Sequence, residues 1–328
     1  MNWRRTSLWG TIAISLTAMF GDVAHADEVA KIGIAQFGRH PQLDLITESF
    51  KEELSKLGHQ EGKNVSYNLK QVNFDPSLVP QMIGQLLSEK PNLILTITTP
   101  VSQGAKAILQ NTDAVGVFAA VSDPVQASLV QSWQGGDKNM TGASDLQDID
   151  AVLNFTHELL PDAKWLGVPY NPGEDNDVAV LRIIKDLAPR YGFKVVEIGV
   201  ETVNDIPVRI SAFKGRADVL YVMTSNLLQS SEPAVAAAAQ SVAIPVISAN
   251  DANVRTDSFL ASFAVDYASV GRLAADLAAR ILKGEKPENI PVAKPAPKDH
   301  KPVISARQME KFGLKLPASL SSCNCMVD

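Results

Sequence analysis

Five apolar runs in this chain each stop at a cluster of small polar residues, and a helix-like stretch begins directly afterwards. The clearest is Leu93-Ile94-Leu95-Thr96-Ile97, then Thr98-Thr99-Pro100, then a helical pattern from Val101 to Leu109. The same plan recurs at Ser122-Asp123-Pro124, Tyr170-Asn171-Pro172, Thr224-Ser225-Asn226 and Ala249-Asn250-Asp251. A strand, a polar turn and a helix, repeated, predict an α/β fold with parallel sheets covered on both faces. In such sheets the carboxyl ends of the strands share one edge, and ligands bind in the crevice outside it. The polar strand ends therefore predict one small-molecule site assembled from distant parts of the chain.

The alternation falls into two halves. Strands are expected at 31–37, 65–72, 93–98 and 114–121, with helices at 44–57, 77–88 and 101–109. Gly135-Gly136-Asp137-Lys138-Asn139 breaks the series as a loop. A second series follows, with strands at 165–169, 194–200, 219–223 and 245–248 and helices at 150–160, 176–191, 204–213 and 231–241. At this length one core gives way to two, so two doubly wound lobes joined near residue 142 are expected. The pattern runs once more at 259–265 and 267–283, where Val270, Leu273, Leu277 and Ile281 form an apolar helix face. A proline-rich segment then leads to a last strand and helix at 302–313. Sequence pattern alone leaves open which half these late pieces join.

The ends of the chain bear on location. Arg4-Arg5, the apolar stretch from Leu8 to Phe20 and Ala24-His25-Ala26 before Asp27 read as a secretory signal peptide over residues 1–26. An uncleaved membrane anchor is the competing reading, but the stretch is shorter than the about 20 residues that a spanning helix needs. The whole chain carries a formal charge of −6. The segment 1–26 holds Arg4, Arg5 and Asp22, which leaves −7 for residues 27–328. This mild acidity gives no electrostatic footprint for nucleic acid. The two cysteines, Cys323 and Cys325, lie at the end of the chain. A ring closed by Cys-x-Cys is very small, so residues 319–328 are expected to form a flexible tail.

Catalytic signatures are missing: there is no G-x-S-x-G, H-E-x-x-H, Walker A or G-x-G-x-x-G, and His157-Glu158 lacks the second zinc histidine. No cofactor or metal site is expected. The binding candidates each carry a plainer reading. Thr98 and Thr99 precede Pro100, a first-turn proline, so Thr99 is either an N-cap or part of a carboxylate site at the helix start. Asp123 reads as a turn residue or as an acceptor for an ammonium or hydroxyl. Glu174, Asn176 and Asp177 follow Tyr170-Asn171-Pro172 and either start a helix or bind an α-ammonium. Asn226, Asn250 and Asp251 stand at later strand ends. Phe37 and Tyr170 are candidates to stack on an aromatic ligand or to fill the core.

Taken in order, several short stretches resemble a known family. They are Gly33-Ile-Ala-Gln36-Phe37, His40-Pro-Gln-Leu-Asp44, Gly62-Lys-Asn64, Thr98-Thr-Pro100, Ser122-Asp-Pro124, Asn139-Met-Thr-Gly142 and Tyr170-Asn-Pro-Gly-Glu174. Val265-Asp-Tyr267 and Phe312-Gly-Leu314 extend the match over nearly all of residues 27–328. The set is similar to the TrpX/YtsQ-like substrate-binding proteins of ABC transporters. The resemblance implies a type I periplasmic binding-protein fold, with residues 27–142 plus about 259–283 in lobe one and 143–258 plus about 287–318 in lobe two. It implies a periplasmic monomer that binds a small amino-acid-like ligand, an aromatic one above all, and delivers it to a membrane permease. It also makes Gln36 a candidate ligand contact beside Phe37. Two departures from the family pattern stand at the expected site: Ser225 where an acidic residue is common, and Asp177 where a serine is common. A sensor domain partnered with a membrane receptor and an exported α/β enzyme are the alternatives.

Overall fold

The computed structural model describes Met1 and residues 29–328, so the expected signal segment falls, apart from Met1, outside the described residues. The first lobe is laid down in chain order as β1 (Ala30–Gln36), α1 (Pro41–Lys56), β2 (Val65–Gln71), α2 (Val79–Ser88), β3 (Leu93–Ile97), α3 (Thr99–Leu109), β4 (Gly116–Ala119) and β5 (Met140–Ala143). All five strands are parallel, in the order β2-β1-β3-β4-β5. β3 is buried along its whole length, as a central strand covered on both faces must be. Helix α1 starts at Pro41, with His40 as its N-cap, and buries Ile46, Phe50 and Leu54. Leu57 falls just past its end and is partly exposed.

The second lobe contains α4 (Ile149–Leu159), β6 (Trp165–Tyr170), α5 (Asp175–Leu187), β7 (Lys194–Gly199), α6 (Ile206–Ser211), β8 (Val219–Val222), α7 (Asn226–Ser230), α8 (Glu232–Val242), β9 (Val246–Ser248) and β10 (Ala261–Val265). It is completed, beyond α9 (Tyr267–Leu282), by β11 (His300–Ser305), α10 (Ala306–Lys311) and β12 (Met326–Val327). The sheet order is β12-β11-β10-β9-β8-β6-β7. Strand alternation gives each face its own core: Val219 and Tyr221 of β8 join one cluster, Leu220 and Val222 the other.

Four features differ from the sequence expectation. β5 is a strand of the first sheet, where no strand was expected. Strand β10, expected in lobe one, lies in the second sheet, where Ala261 pairs with Ile247 on one side and Ile304 on the other. The return to lobe one comes just after it, and α9 packs on α1. The second sheet is mixed, because β10 and β11 run antiparallel. The terminal stretch is anchored: β12 pairs with β11, Cys323 and Cys325 form a disulfide, and Cys325 is buried against Ile304 and Met309. The Cα separation of 5.1 Å lies within the span a disulfide bridges, so the small ring closes.

The α1–α9 contact depends on Gly271. A Cβ there would overlap Ser49 Oγ and lie 2.5 Å from the Ile46 carbonyl oxygen and 3.1 Å from the Phe50 nitrogen. Two of these are backbone atoms that cannot turn aside. Gly271→Ala is therefore expected to lower stability by about 1–3 kcal/mol, the usual effect of overpacking. A urea denaturation curve checks this, and an unchanged midpoint would contradict the close helix approach.

Candidate functional site

In each sheet the strand order reverses beside its first strand. β1 lies between β2 and β3, and β6 lies between β7 and β8. Such switch points open a crevice at the carboxyl ends. In lobe one, Phe37 follows β1 and Thr98 follows β3. In lobe two, the segment Asn171–Asn176 follows β6 and Thr224–Asn226 follows β8. The two crevices face one another. Ser122 Oγ lies 3.1 Å from Thr224 Oγ1, and Gln103 Nε2 donates to Asp175 Oδ2 at 2.6 Å across the gap.

Two adjoining cavities occupy this interface and share Asn176 and Asn226. The larger, about 620 Å³, has an apolar wall of Phe37, Phe74, Pro76, Pro100, Val203 and Leu227. Phe37 and Phe74 meet edge to face with ring centroids 5.5 Å apart. Gly38 makes room for this pair, since a Cβ there would strike the Phe74 ring. The smaller cavity, about 30 Å³, is polar and is walled by Thr98, Ser122, Asp145, Asn176, Thr224 and Tyr267 among others.

Each side chain of the polar cavity is held by its strand end. Thr98 adopts φ 89° and ψ 158°, a region that non-glycine residues occupy only under strain. Its buried Oγ1 has no hydrogen-bond partner among the described residues. Thr99 opens α3 instead of capping it, and the N–H groups of that first turn have no partner within the helix. Across the gap, Glu174 fastens α5 to α7. Its carboxylate accepts from Asn226 N (2.8 Å), Asn226 Nδ2 (2.7 Å), Leu227 N (3.0 Å) and Asn171 Nδ2 (3.0 Å). Asn176 donates through Nδ2 to Asp177 Oδ1 at 2.9 Å and to the Thr224 carbonyl at 3.1 Å, while its Oδ1 is buried without a partner among the described residues. Asp177 is fully buried and accepts from Asn171 N. Burial, then the neighbouring Glu174 charge, holds the Asp177 carboxyl well above the usual range. The two departures from the family pattern meet here, because Ser225 lies beside the Asp177 carboxyl and works against the effect of burial on it. Relative to that pattern, acid and hydroxyl have changed places.

Of the expected residues, Phe37, Thr98, Thr99, Asn171, Glu174, Asn176 and Asn226 line the two cavities. Asp177 supports them from behind. The others stand apart. Gln36 is spent on Gly38 O, Asp44 and Thr47, tying the first strand end to α1. Asp123 accepts from Val125 N and Gln126 N as a turn residue. Tyr170 packs against the lobe-two core. Asn250 bonds Glu232, and Asp251 pairs with Arg255 beside a different cavity. Residues passed over by the sequence reading are Ser122, Asp145, Thr224, Tyr267 and Phe74. Ser122 and Thr224 sit in the polar clusters already noted, one residue before Asp123 and two before Asn226. Asp145 lies on the crossing between lobes, where no strand–helix pattern announces it.

Asp145 accepts from Ser122 Oγ at 3.0 Å and from the Tyr267 hydroxyl at 3.4 Å. Burial pushes its carboxyl up to about 6. Burial likewise pushes Glu232 up to about 7. Among the described residues no group of three or more histidines, cysteines and carboxylates is placed to hold a metal ion.

Two predictions follow from this geometry. Thr98→Gly relieves the backbone strain and removes an unpartnered hydroxyl, so it should raise the stability of the ligand-free protein by about 1 kcal/mol; a lower urea midpoint would contradict this. Asp145 ionises later in the folded than in the unfolded chain. Between about pH 4 and 6 the folded state therefore holds the extra proton, and its contribution to stability falls as pH rises. In Asp145→Asn that fall should become less steep, leaving the parts due to Asp177 and Glu232, whose carboxyls burial also raises; an unchanged pH profile would contradict it.

Comparison with known proteins places this geometry. A family model described as ABC transporter substrate binding protein matches residues 31–326. A tyrosine-binding protein of Clostridioides difficile (strain R20291) is 34% identical over 261 residues, covering 80% of this chain and 75% of the relative. The crystal structure of an ABC domain from Streptococcus pneumonia in complex with L-Trp superposes with a TM-score of 0.85 at 29% identity, over 91% of this chain and 99% of that one. A ligand-free, open substrate-binding protein with adhesive properties from Clostridium difficile gives a TM-score of 0.71 at 33% identity, over 92% of this chain and 99% of that one.

Proposed function

The chain belongs to the ABC transporter substrate-binding protein family, with the two-lobed type I periplasmic binding fold, and we propose that its cargo is an aromatic amino acid taken up by an importer. The observation that carries this reading is the pairing of two unlike cavities at one interface. An amino acid has a small charged head, and an aromatic one has a large apolar side chain. The polar cavity suits the head and the apolar wall around Phe37 and Phe74 suits the ring. A volume of about 620 Å³ lies within the range of small-molecule sites. The ligand carboxylate would lie at the first turn of α3, where N–H groups and the helix dipole favour an anion. The tyrosine-binding relative and the Trp-bound structure support this cargo class.

Binding would act by closure rather than by chemistry. A ligand touching Thr98 on one lobe and Asn176 on the other favours the closed form by its differential affinity. A membrane permease would then take up the closed, loaded protein. Substrate-binding proteins of this kind work outside the cytoplasmic membrane, and no described helix is long and apolar enough to cross one. The expected signal segment and the family's place of work support export to the periplasm.

Native mass spectrometry of residues 27–328, followed by a thermal-shift screen of amino acids, tests the proposal. At a hundredfold excess over the dissociation constant, tryptophan, tyrosine or phenylalanine should stabilise the fold by about 2.7 kcal/mol. Stabilisation by a sugar or nucleoside alone would overturn the cargo class.

A further inference from the structure

The polar cavity is small, and its wall has one sign of charge. It measures about 30 Å³ and adjoins the larger cavity at Asn176 and Asn226. Asp145 contributes a carboxyl from the crossing segment, and no lysine, arginine or histidine lines the cavity among the described residues. Two more oxygens there are buried and unpartnered among the described residues, Thr98 Oγ1 and Asn176 Oδ1.

The orientation of the Asn176 amide is set by its surroundings. Its nitrogen faces Asp177 Oδ1, the Thr224 carbonyl and, at 3.4 Å, Glu174 Oε2, three acceptors that would repel an oxygen. Oδ1 is therefore the atom left over, and it can only accept. Asp145 keeps spare lone pairs, since Ser122 and Tyr267 use two of the about four acceptor sites on a carboxylate. Ser122 gives its one proton to Asp145, so Thr224 must donate across the gap to Ser122 and brings no free donor of its own.

We propose that this cavity is an ammonium site in which Asp145, Asn176 Oδ1 and Thr98 Oγ1 receive the three N–H bonds of the ligand's primary amine. A carboxylate or phosphate would set like charges beside Asp145, whereas a cationic amine offsets that carboxylate and offers three donors. The assignment deepens the amino-acid reading above and rests on it for the rest of the ligand. It also moves the amine partner away from Glu174, whose oxygens are committed to α7. Leaving a buried charge and hydrogen-bonding group unpaired is heavily penalised, so the protein should select strongly for the free amine.

Isothermal titration tests this with L-tryptophan and L-tyrosine against their des-amino counterparts, 3-(indol-3-yl)propionate and 3-(4-hydroxyphenyl)propionate. Wild-type protein should bind the des-amino compounds at least about a hundredfold more weakly. In the near-isosteric variants Asp145→Asn and Thr98→Val, that ratio should shrink, by tenfold or more in Asp145→Asn, as the amine loses its partner. Des-amino compounds bound within threefold by the wild type would overturn the site, as would a ratio unchanged in both variants. If a non-aromatic amino acid is the tight ligand, the same comparison with its des-amino counterpart applies: the cargo reading fails while the ammonium site stands or falls on the ratio. A tight ligand lacking any amine would overturn it outright.

Discussion

The burial of polar strand ends between two lobes is the constraint on which the rest of this structure depends. A polar group taken from water without a partner is costly, so nearly all such groups are bonded. At this interface the rule is followed closely. Ser122 reaches Asp145 and Thr224, Tyr267 reaches Asp145, and Glu174 gathers the amides at the start of α7. The exceptions, Thr98 Oγ1 and Asn176 Oδ1, lie on opposite sides of one small cavity. Unpartnered atoms inside a well-bonded network mark where a ligand completes it.

The same network explains how binding and movement are linked. Asp145 stands on the first crossing between lobes and Tyr267 at the start of α9, just after the second. The third crossing is joined to the first by paired backbone bonds between Ser144 and Ala293 and between Ala293 and Gly142. A ligand held at Asp145 would thus touch a segment that joins the lobes as well as both of their inner edges. Few direct bonds cross the gap itself, Gln103 to Asp175 and Ser122 with Thr224 among them. Cargo contacts would therefore carry much of the energy of closure.

Much of this could be read in the sequence, for reasons that also explain the gaps. The run at 93–97 announces itself as a strand buried on both faces, and the helix at 44–57 by its period, because burial imposes each pattern. The polar strand ends located the cleft, since parallel sheets bring their carboxyl ends together. Asp145 stayed hidden because it sits on a crossing with no periodic pattern, and only tertiary folding sets it beside Ser122. The carboxylate of Asp123 reads as a binding group, yet the turn uses it locally and leaves Ser122 to face the cavity. The family resemblance implies lobe one for both strand β10 and the helix after it, whereas here the chain crosses between them and only the helix returns. The short pairing of β12 depends on an edge that sequence does not show.

A crystal structure of residues 27–328 grown with L-tryptophan or L-tyrosine tests the central claim most directly. The account predicts closed lobes, with the ring against Phe37 and Phe74, the carboxylate at the start of α3 and the amine between Asp145, Thr98 and Asn176. Ligand bound away from the interface, or seated there with its amine turned from Asp145 and Asn176, would contradict it.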